Sequence, residues 1–227
     1  MAVPKSGAGE GTRFAPPAPR PSLARAFLRM IWEERQISRA ELARRADVSR
    51  STVSEIVPGL LSTTLVSEAG VGVSSGGRRP IMLEFQDDAF CILGVDLGVT
   101  HLSVVLMDLR GRVLAWQHRD YPVETQAEGA RALAAELCDA CLATAKVKRN
   151  RLLAIGAGVP SPVDPKHPDR LHALALPKWK QEHRLEQLGA RYGVPVLVDN
   201  DANAGALAER WWGAARGIDD FTYIKVG

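Results

Sequence analysis

The chain has 227 residues, 46% hydrophobic and 24% charged, which is enough apolar content for one large or two modest domains and too much for wholesale disorder. No apolar run reaches the ~18–20 residues of a spanning helix, the first residues lack an apolar signal core, and three cysteines cannot build a disulfide framework; this rules out a conventional integral membrane protein and points to a reducing, cytoplasmic setting. The net charge of +3 is uneven: residues 1–82 hold 12 Lys/Arg against 7 Asp/Glu, and residues 83–227 hold 17 against 19, so a basic N-terminal third precedes a near-neutral body.

Residues 1–21, with five prolines and three glycines, read as a disordered tail. Leu23, Phe27, Met30 and Ile31 then recur at helical spacing, which predicts a helix from Ser22 to Glu34. Ser38 followed by Arg39-Ala40-Glu41 is a capping box, and Ile37 and Leu42 occupy the positions of a hydrophobic staple, so a short helix is predicted from Arg39 to about Ala46. Asp47-Val48-Ser49 makes a turn, and Ser49 caps a third helix from Arg50 to about Val57, with Pro58 and Gly59 ending or kinking it. Leu65–Glu68 and Ile81–Phe85 read as strands around a Gly/Ser-rich stretch from Gly70 to Gly77. Helix, helix, turn, helix, hairpin is the order of a winged helix-turn-helix, here over residues 22–86.

Residues 87–227 begin with three strands, Cys91–Asp96, Leu102–Asp108 and Val113–His118. A helix follows whose apolar face holds Ala130, Leu133, Ala134, Leu137, Cys138, Cys141, Leu142 and Ala145. Then come a strand (Leu152–Gly158), a Pro-rich loop, a helix (Arg184–Tyr192), a strand (Val194–Val198), a helix (Ala202–Trp212) and a final strand (Phe221–Val226). Three strands, helix, strand, helix, strand, helix is one lobe of an actin-like or ribonuclease-H-like α/β fold.

In a helix-turn-helix the second helix of the motif enters the major groove. Val53, Ile56, Val57 and Leu60 share one face of the third helix and are expected to pack inward, leaving Arg50, Ser51, Ser54 and Glu55 outward with Thr52 on a flank. Short hydroxyls, including that of Ser49, suit phosphate or base-edge contacts, an arginine can fork onto guanine, and Arg44 and Arg45 are placed for backbone phosphates. Arg78 and Arg79, beside Gly76-Gly77 in the wing, suit a narrow minor groove; a solvated turn is the alternative. An interaction module with no DNA role is the alternative for the whole region.

The segment SRAELARRADVSRSTVSEIVPGLL and the later SSGGRRPIMLEF resemble the DNA-binding domain of the regulator branch of the ROK family (repressor, open reading frame, kinase), and the resemblance runs from Ser22 to the last residue. It implies an α/β fold in which a winged helix precedes an actin-like ROK lobe. Within that lobe, Gly94-Val95-Asp96-Leu97-Gly98-Val99-Thr100-His101 resembles the phosphate turn of the family's kinases, similar to Asp-x-Gly-Gly-Thr-Lys. Asp96, Gly98 and Thr100 remain; Val99 stands for the second glycine and His101 for the lysine, a degenerate nucleotide site at which a β-branched residue suits a left-handed turn poorly. The other reading of Asp96 is a structural carboxylate at a strand end. Val198-Asp199-Asn200-Asp201-Ala202-Asn203 resembles the family's Asn-Asp-Ala-Asn motif, which implies that Asn200 binds sugar and Asp201 binds it or, in a kinase, serves as base; a helix cap is the plain role for Asp201. Gly158-Val159-Pro160-Ser161-Pro162-Val163 resembles the family's Gly-x-Pro-Gly-Pro-Val loop, Ser161 replacing glycine. Glu209 reads as a surface or capping residue. Cys138-x-x-Cys141 lies on an apolar helix face and reads as core, and scattered His167, His172 and His183 imply no metal site.

The resemblance implies a DNA-binding transcriptional regulator of carbohydrate metabolism, of repressor type, which binds an operator in double-stranded DNA and answers to a sugar or sugar phosphate. It also implies a homo-oligomer, no membrane, a cytoplasmic location and no cofactor. The alternative is an ATP- and Mg-dependent sugar kinase of the glucokinase kind. The sequence stops at Gly227, just before the family's second lobe, its later sugar-contacting histidine and its zinc-binding cysteine cluster, so the chain reads as a truncated or partial product.

Overall fold

A computed structural model describes residues 22–71, 80–164, 167–171 and 186–225. The chain divides between Phe85 and Gln86 into two units.

The first unit contains α1 (Leu23–Glu34), β1 (Gln36–Ser38), α2 (Arg39–Arg45), α3 (Arg50–Ser62), β2 (Val66–Val71) and β3 (Ile81–Phe85). Each helix starts at a serine whose hydroxyl accepts a backbone N–H of the first turn: Ser22 from Arg25 at 3.4 Å, Ser38 from Glu41 at 3.1 Å, Ser49 from Thr52 at 3.1 Å. Only half of the expected capping box forms. Glu41 turns its carboxylate to Arg44 and Arg45, because two guanidiniums outcompete one neutral N–H as partners. Ile37 and Leu42 are both buried, as is the rest of an apolar set that includes Phe27, Ile31, Val53, Val57, Leu60 and Leu83.

The α2–α3 turn is built by main-chain bonds. Asp47 takes a left-handed φ of 52°, Val48 N–H donates to Ala43 O at 3.0 Å, and Asp47 N–H to Arg44 O at 3.4 Å, the 6→1 and 5→2 pair of a Schellman motif. The strands form a three-stranded antiparallel sheet in the order β1-β3-β2, with Ile37 opposite Leu83. Three residues are too few for alternation to announce β1; its pairing with β3 creates it.

Helix α3 does not stop at Val57 but runs through Pro58 and Gly59 to Ser62. Pro58 lacks the N–H that would reach the Ser54 carbonyl, yet both residues are on the exposed face, where water replaces the lost partner. Buried Val57 and Leu60 flank the proline and hold the helix on course.

The second unit contains β4 (Cys91–Leu97), β5 (His101–Asp108), β6 (Val113–Asp120), α4 (Ala127–Thr144), a 3-10 turn (Arg149–Arg151), β7 (Leu152–Val159), β8 (Val163–Asp164), β9 (His167–Leu171), α5 (Glu186–Tyr192), β10 (Val196–Asn200) and α6 (Asp201–Trp212). The main sheet has the order β10-β7-β4-β5-β6; β4, β5 and β6 form an antiparallel meander, and β7 and β10 run parallel to β4. Alternation sorts its two faces. Cys91, Leu93, Val95 and Leu97 of β4 and Leu102, Val104 and Leu106 of β5 are buried against Ala130, Ala134, Leu137, Cys138, Cys141 and Leu142 of α4 and Leu188 of α5. The opposite face is half exposed and faces α6. Trp212 Nε1–H donates to Arg110 O at 3.1 Å, tying the end of α6 to the β5–β6 turn.

Two expectations for this unit need correcting. The Pro-rich loop after β7 holds the short antiparallel pair β8–β9. The final strand does not form: among the described residues, Phe221 to Lys225 join no ladder. Apolar alternation makes a strand only where a neighbour supplies backbone partners. This segment folds back instead, with the Tyr223 ring against Gly205 and the Lys225 ammonium on Asp201.

Candidate functional site

Strand register assembles the site of the second unit. Asp199 of β10 is opposite Gly158 of β7, Gly158 opposite Asp96 of β4, Asp96 opposite Ser103 of β5, and Ser103 opposite His118 of β6. One polar row therefore crosses all five strands on the face away from α4. It borders a cleft of about 610 Å³ between that face, α6 and the 221–225 segment. Asp96, Asp199, Asp201, Lys225, Tyr223 and Trp116 line it. Gly158 keeps the row open: a Cβ there would lie 3.7 Å from Asp201 Cα and 3.9 Å from Asp96 Oδ1, filling the space between the carboxylates.

The degenerate phosphate turn is closed by its own side chain. His101 Nε2 is 3.2 Å from Asp96 Oδ2, and its ring lies over Gly98, where a Cβ would meet His101 Cε1 at 2.2 Å. Glycine is needed here for close approach, and the approaching group is the imidazole. The turn contains no residue of positive φ, so Val99 is unstrained, contrary to the left-handed turn expected of it. Thr100 is exposed, and its carbonyl accepts Tyr121 N–H at 3.0 Å. In this arrangement the turn does not fit a nucleotide phosphate. Beyond it, Ser103 Oγ is 2.8 Å from His118 Nδ1, and the His118 ring stacks on Trp116 at 5.8 Å between centroids.

Asn200 and Asp201 stand at the junction of β10 and α6. The cap of α6 is Asn200, not Asp201: Asn200 Oδ1 accepts Ala202 N–H at 3.0 Å and Asn203 N–H at 3.3 Å. Its Nδ2 donates to Ser161 O at 3.2 Å and to Val159 O at 3.4 Å, so the amide joins the helix start to the 158–163 loop. Ser161 is fully buried in that loop. Asp201, at the first helical position, lines the cleft and accepts the Lys225 ammonium on Oδ2 at 2.5 Å. The Asp201 carboxylate, with Asp96 beyond it, raises the Lys225 pKa above its ordinary value.

Sequence reading did not single out Asp199, Ser103, His118 or Lys225. Asp199, Ser103 and His118 each occupy an outward position on their strands, a period-two signal that becomes a site only once register is known. Lys225 carries no local signal. Glu209 is a C-terminal cap, its Oε2 accepting Ala214 N–H at 2.8 Å. Cys91, Cys138 and Cys141 are free and buried; burial, with Cys141 nearby, pushes the Cys138 thiol up to about 12. Among the described residues, no group of three or more His, Cys, Asp or Glu is placed to hold a metal ion, and no helix is long and apolar enough to cross a membrane.

In the first unit α3 presents Arg50, Ser51, Ser54 and Glu55 outward, with Val53, Val57 and Leu60 buried and Ile56 half-buried. Ser49 Oγ holds the helix start together, 2.7 Å from Ser51 Oγ and 2.8 Å from Thr52 Oγ1. Ser54 Oγ donates back to Arg50 O at 3.0 Å. Arg44 pairs with Glu41 at 2.5 Å and stays 71% exposed, whereas Arg45 is clamped between Glu41 and Glu34. Arg44 first, then Arg45, hold the Glu41 carboxyl down to about 2. Arg78 and Arg79 lie outside the described residues.

Comparison with known proteins places these units in context. The chain is 32% identical over 200 residues to the xylose repressor of Caldicellulosiruptor bescii, covering 88% of this chain and 50% of that protein. It is 31% identical over 200 residues to the xylose repressor of Bacillus subtilis (88% and 51%), and 29% over 201 residues to the DNA-binding transcriptional dual regulator NagC of Escherichia coli K12 (88% and 49%). The chain thus spans about half the length of the curated relatives it matches. The fold is similar to that of a ROK family transcriptional regulator homologous to the E. coli MLC protein, with a TM-score of 0.65 and 24% identity over 84% of this chain and 48% of that one. Residues 92–227 match the model of the ROK family, and the chain belongs to that family.

Proposed function

We propose that the protein is a cytoplasmic, DNA-binding transcriptional repressor of carbohydrate metabolism, controlled by a sugar bound in its ROK domain. The observation that carries this reading is the match to repressors over 88% of the chain, a span that takes in both units. The first unit acts as a winged helix-turn-helix, with α2 and α3 as the motif and α3 in the major groove. Arg50, Ser51 and Ser54 face base edges or phosphates, while Ser49 and Thr52 hold the helix start that presents them. Arg44 reaches a backbone phosphate and Arg45 braces it; Arg78 and Arg79 in the wing contact the minor groove. Two such units in a homo-oligomer read two half-sites of an operator.

In the ROK domain Asp201 contacts the sugar and Asn200 sets its position. The sugar biases the repressor only through different affinity for two arrangements of the protein. A sugar-kinase role is less supported: His101 covers the phosphate turn and Lys225 occupies Asp201, the residue that role would use as base. No cofactor is needed for the repressor reading.

The test is fluorescence anisotropy with duplexes from the region upstream of the gene, at near-physiological salt, with and without sugars. A site bound at least tenfold tighter than random duplex, and released by a sugar, supports the proposal. Equal binding to specific and random duplexes refutes it.

A further inference from the structure

The lining of the cleft discriminates between the two kinds of effector open to a sugar-responsive repressor. We infer that the site takes an unphosphorylated, neutral sugar and rejects a sugar phosphate; this rests on the reading of the cleft as the effector site.

The first ground is charge. Three carboxylates, Asp96, Asp199 and Asp201, face the cleft against one ammonium, Lys225. Among the described residues that line it, negative charge is therefore in excess by two. A phosphate monoester brings about −1.5 to −2 more at neutral pH, into a cleft with low-dielectric walls. Sugar hydroxyls, in contrast, donate to carboxylates, which are acceptors only when ionised. Asp199 is held in place for this role, since Asn203 Nδ2 and the backbone N–H of Asn200 donate to its Oδ1 at 3.0 and 2.7 Å while the residue lines the cleft.

The second ground is the supply of donors. A phosphate needs several N–H groups, and among the described residues the two natural sources are engaged elsewhere in large part. The second and third amides of α6 are bonded to the Asn200 and Asp201 side chains, Ala202 N–H to both and Asn203 N–H to Asn200. The β4–β5 turn lies under His101. The one cation among the described lining residues, Lys225, is held by Asp201, so a phosphate must break that pair before gaining it. A neutral sugar can keep the pair and use the outer oxygens.

The test is calorimetric titration of the 227-residue chain with D-xylose, D-glucose, D-xylose 5-phosphate, D-glucose 6-phosphate and inorganic phosphate. The expected result is binding of at least one free sugar, with its ester and inorganic phosphate about tenfold weaker or more. Removing charge by Asp96→Asn with Asp199→Asn narrows the ratio, and Lys225→Gln widens it. An ester that binds as tightly as its free sugar, or a ratio indifferent to these changes, overturns the inference and leaves the repressor reading standing. Binding of neither class overturns the effector-site assignment and this inference together, while the DNA titration still tests the repressor separately.

Discussion

Replacing Asn200 with alanine separates a sugar ligand from a structural joint. Its Oδ1 caps α6 through two amides, and its Nδ2 serves the carbonyls of Ser161 and Val159. Loss of an Asn cap costs about 0.5–2 kcal/mol. Stranding partly buried carbonyls adds about 1 kcal/mol, the low end of an unmet hydrogen bond, because the loop can relax toward water. The sum, about 1.5–3 kcal/mol, lowers Tm by about 3–12 °C for a chain of this size. Thermal unfolding followed by circular dichroism, without ligand, measures it. Asn200→Asp keeps the cap but turns two donors into acceptors facing carbonyls, and is expected to rescue only part of the loss. An Asn200→Ala protein that melts within about 1 °C of the parent refutes the joint, since the error in such caps is smaller than the effect. A pure sugar contact would leave ligand-free Tm unmoved and change only binding.

Asp47→Val is expected to destabilise the first unit by about 1–2 kcal/mol, because a β-branched residue resists the left-handed φ of 52° that closes the α2–α3 turn, whereas Asp47→Gly is near neutral; urea unfolding of the pair decides. Glu41→Gln releases Arg44 and Arg45 from a carboxylate that is ionised at every physiological pH, so non-specific DNA affinity at low salt rises severalfold and the salt dependence steepens by about one unit of log–log slope; an unchanged slope in anisotropy titrations counts against a phosphate role for either arginine. The Cys138 thiol has its folded pKa raised, to about 12 from an ordinary value of 9.0, so its contribution to stability is fully present below pH 9.0 and is lost as pH rises toward 12. An alkaline melting series should show that decline reduced in Cys138→Ala, and Ellman's reagent should label the native thiol only after unfolding.

The readable parts of this protein are those whose signals are satisfied within a few residues. Ser22, Ser38 and Ser49 cap amides three positions on, the apolar face of α4 repeats within one helix, and β4 and β5 alternate within one strand. Such features need only the chain's own neighbours, so most of the order of helices and strands in both units could be expected from the residues. The resemblance drew attention to Asp96, Asn200 and Asp201; the fold sets Asp96 and Asp201 on the cleft and uses Asn200 as the cap of α6.

Other features depend on residues far away in sequence. β1 exists because Leu83 lies opposite Ile37, and α3 passes Pro58 because Val57 and Leu60 are buried on the far side. The segment 221–225 has the alternation of a strand yet no partner among the described residues, so Lys225 turns to Asp201 instead. The row from Asp199 to His118 draws its members from positions 96 to 199 in a different order from the sequence and is assembled by four pairings, where a slip of one residue would send every member to the opposite face. Local preference therefore decided which elements form, and tertiary register decided which side chains share the cleft, because burial of one sheet face against α4 is what selects that register.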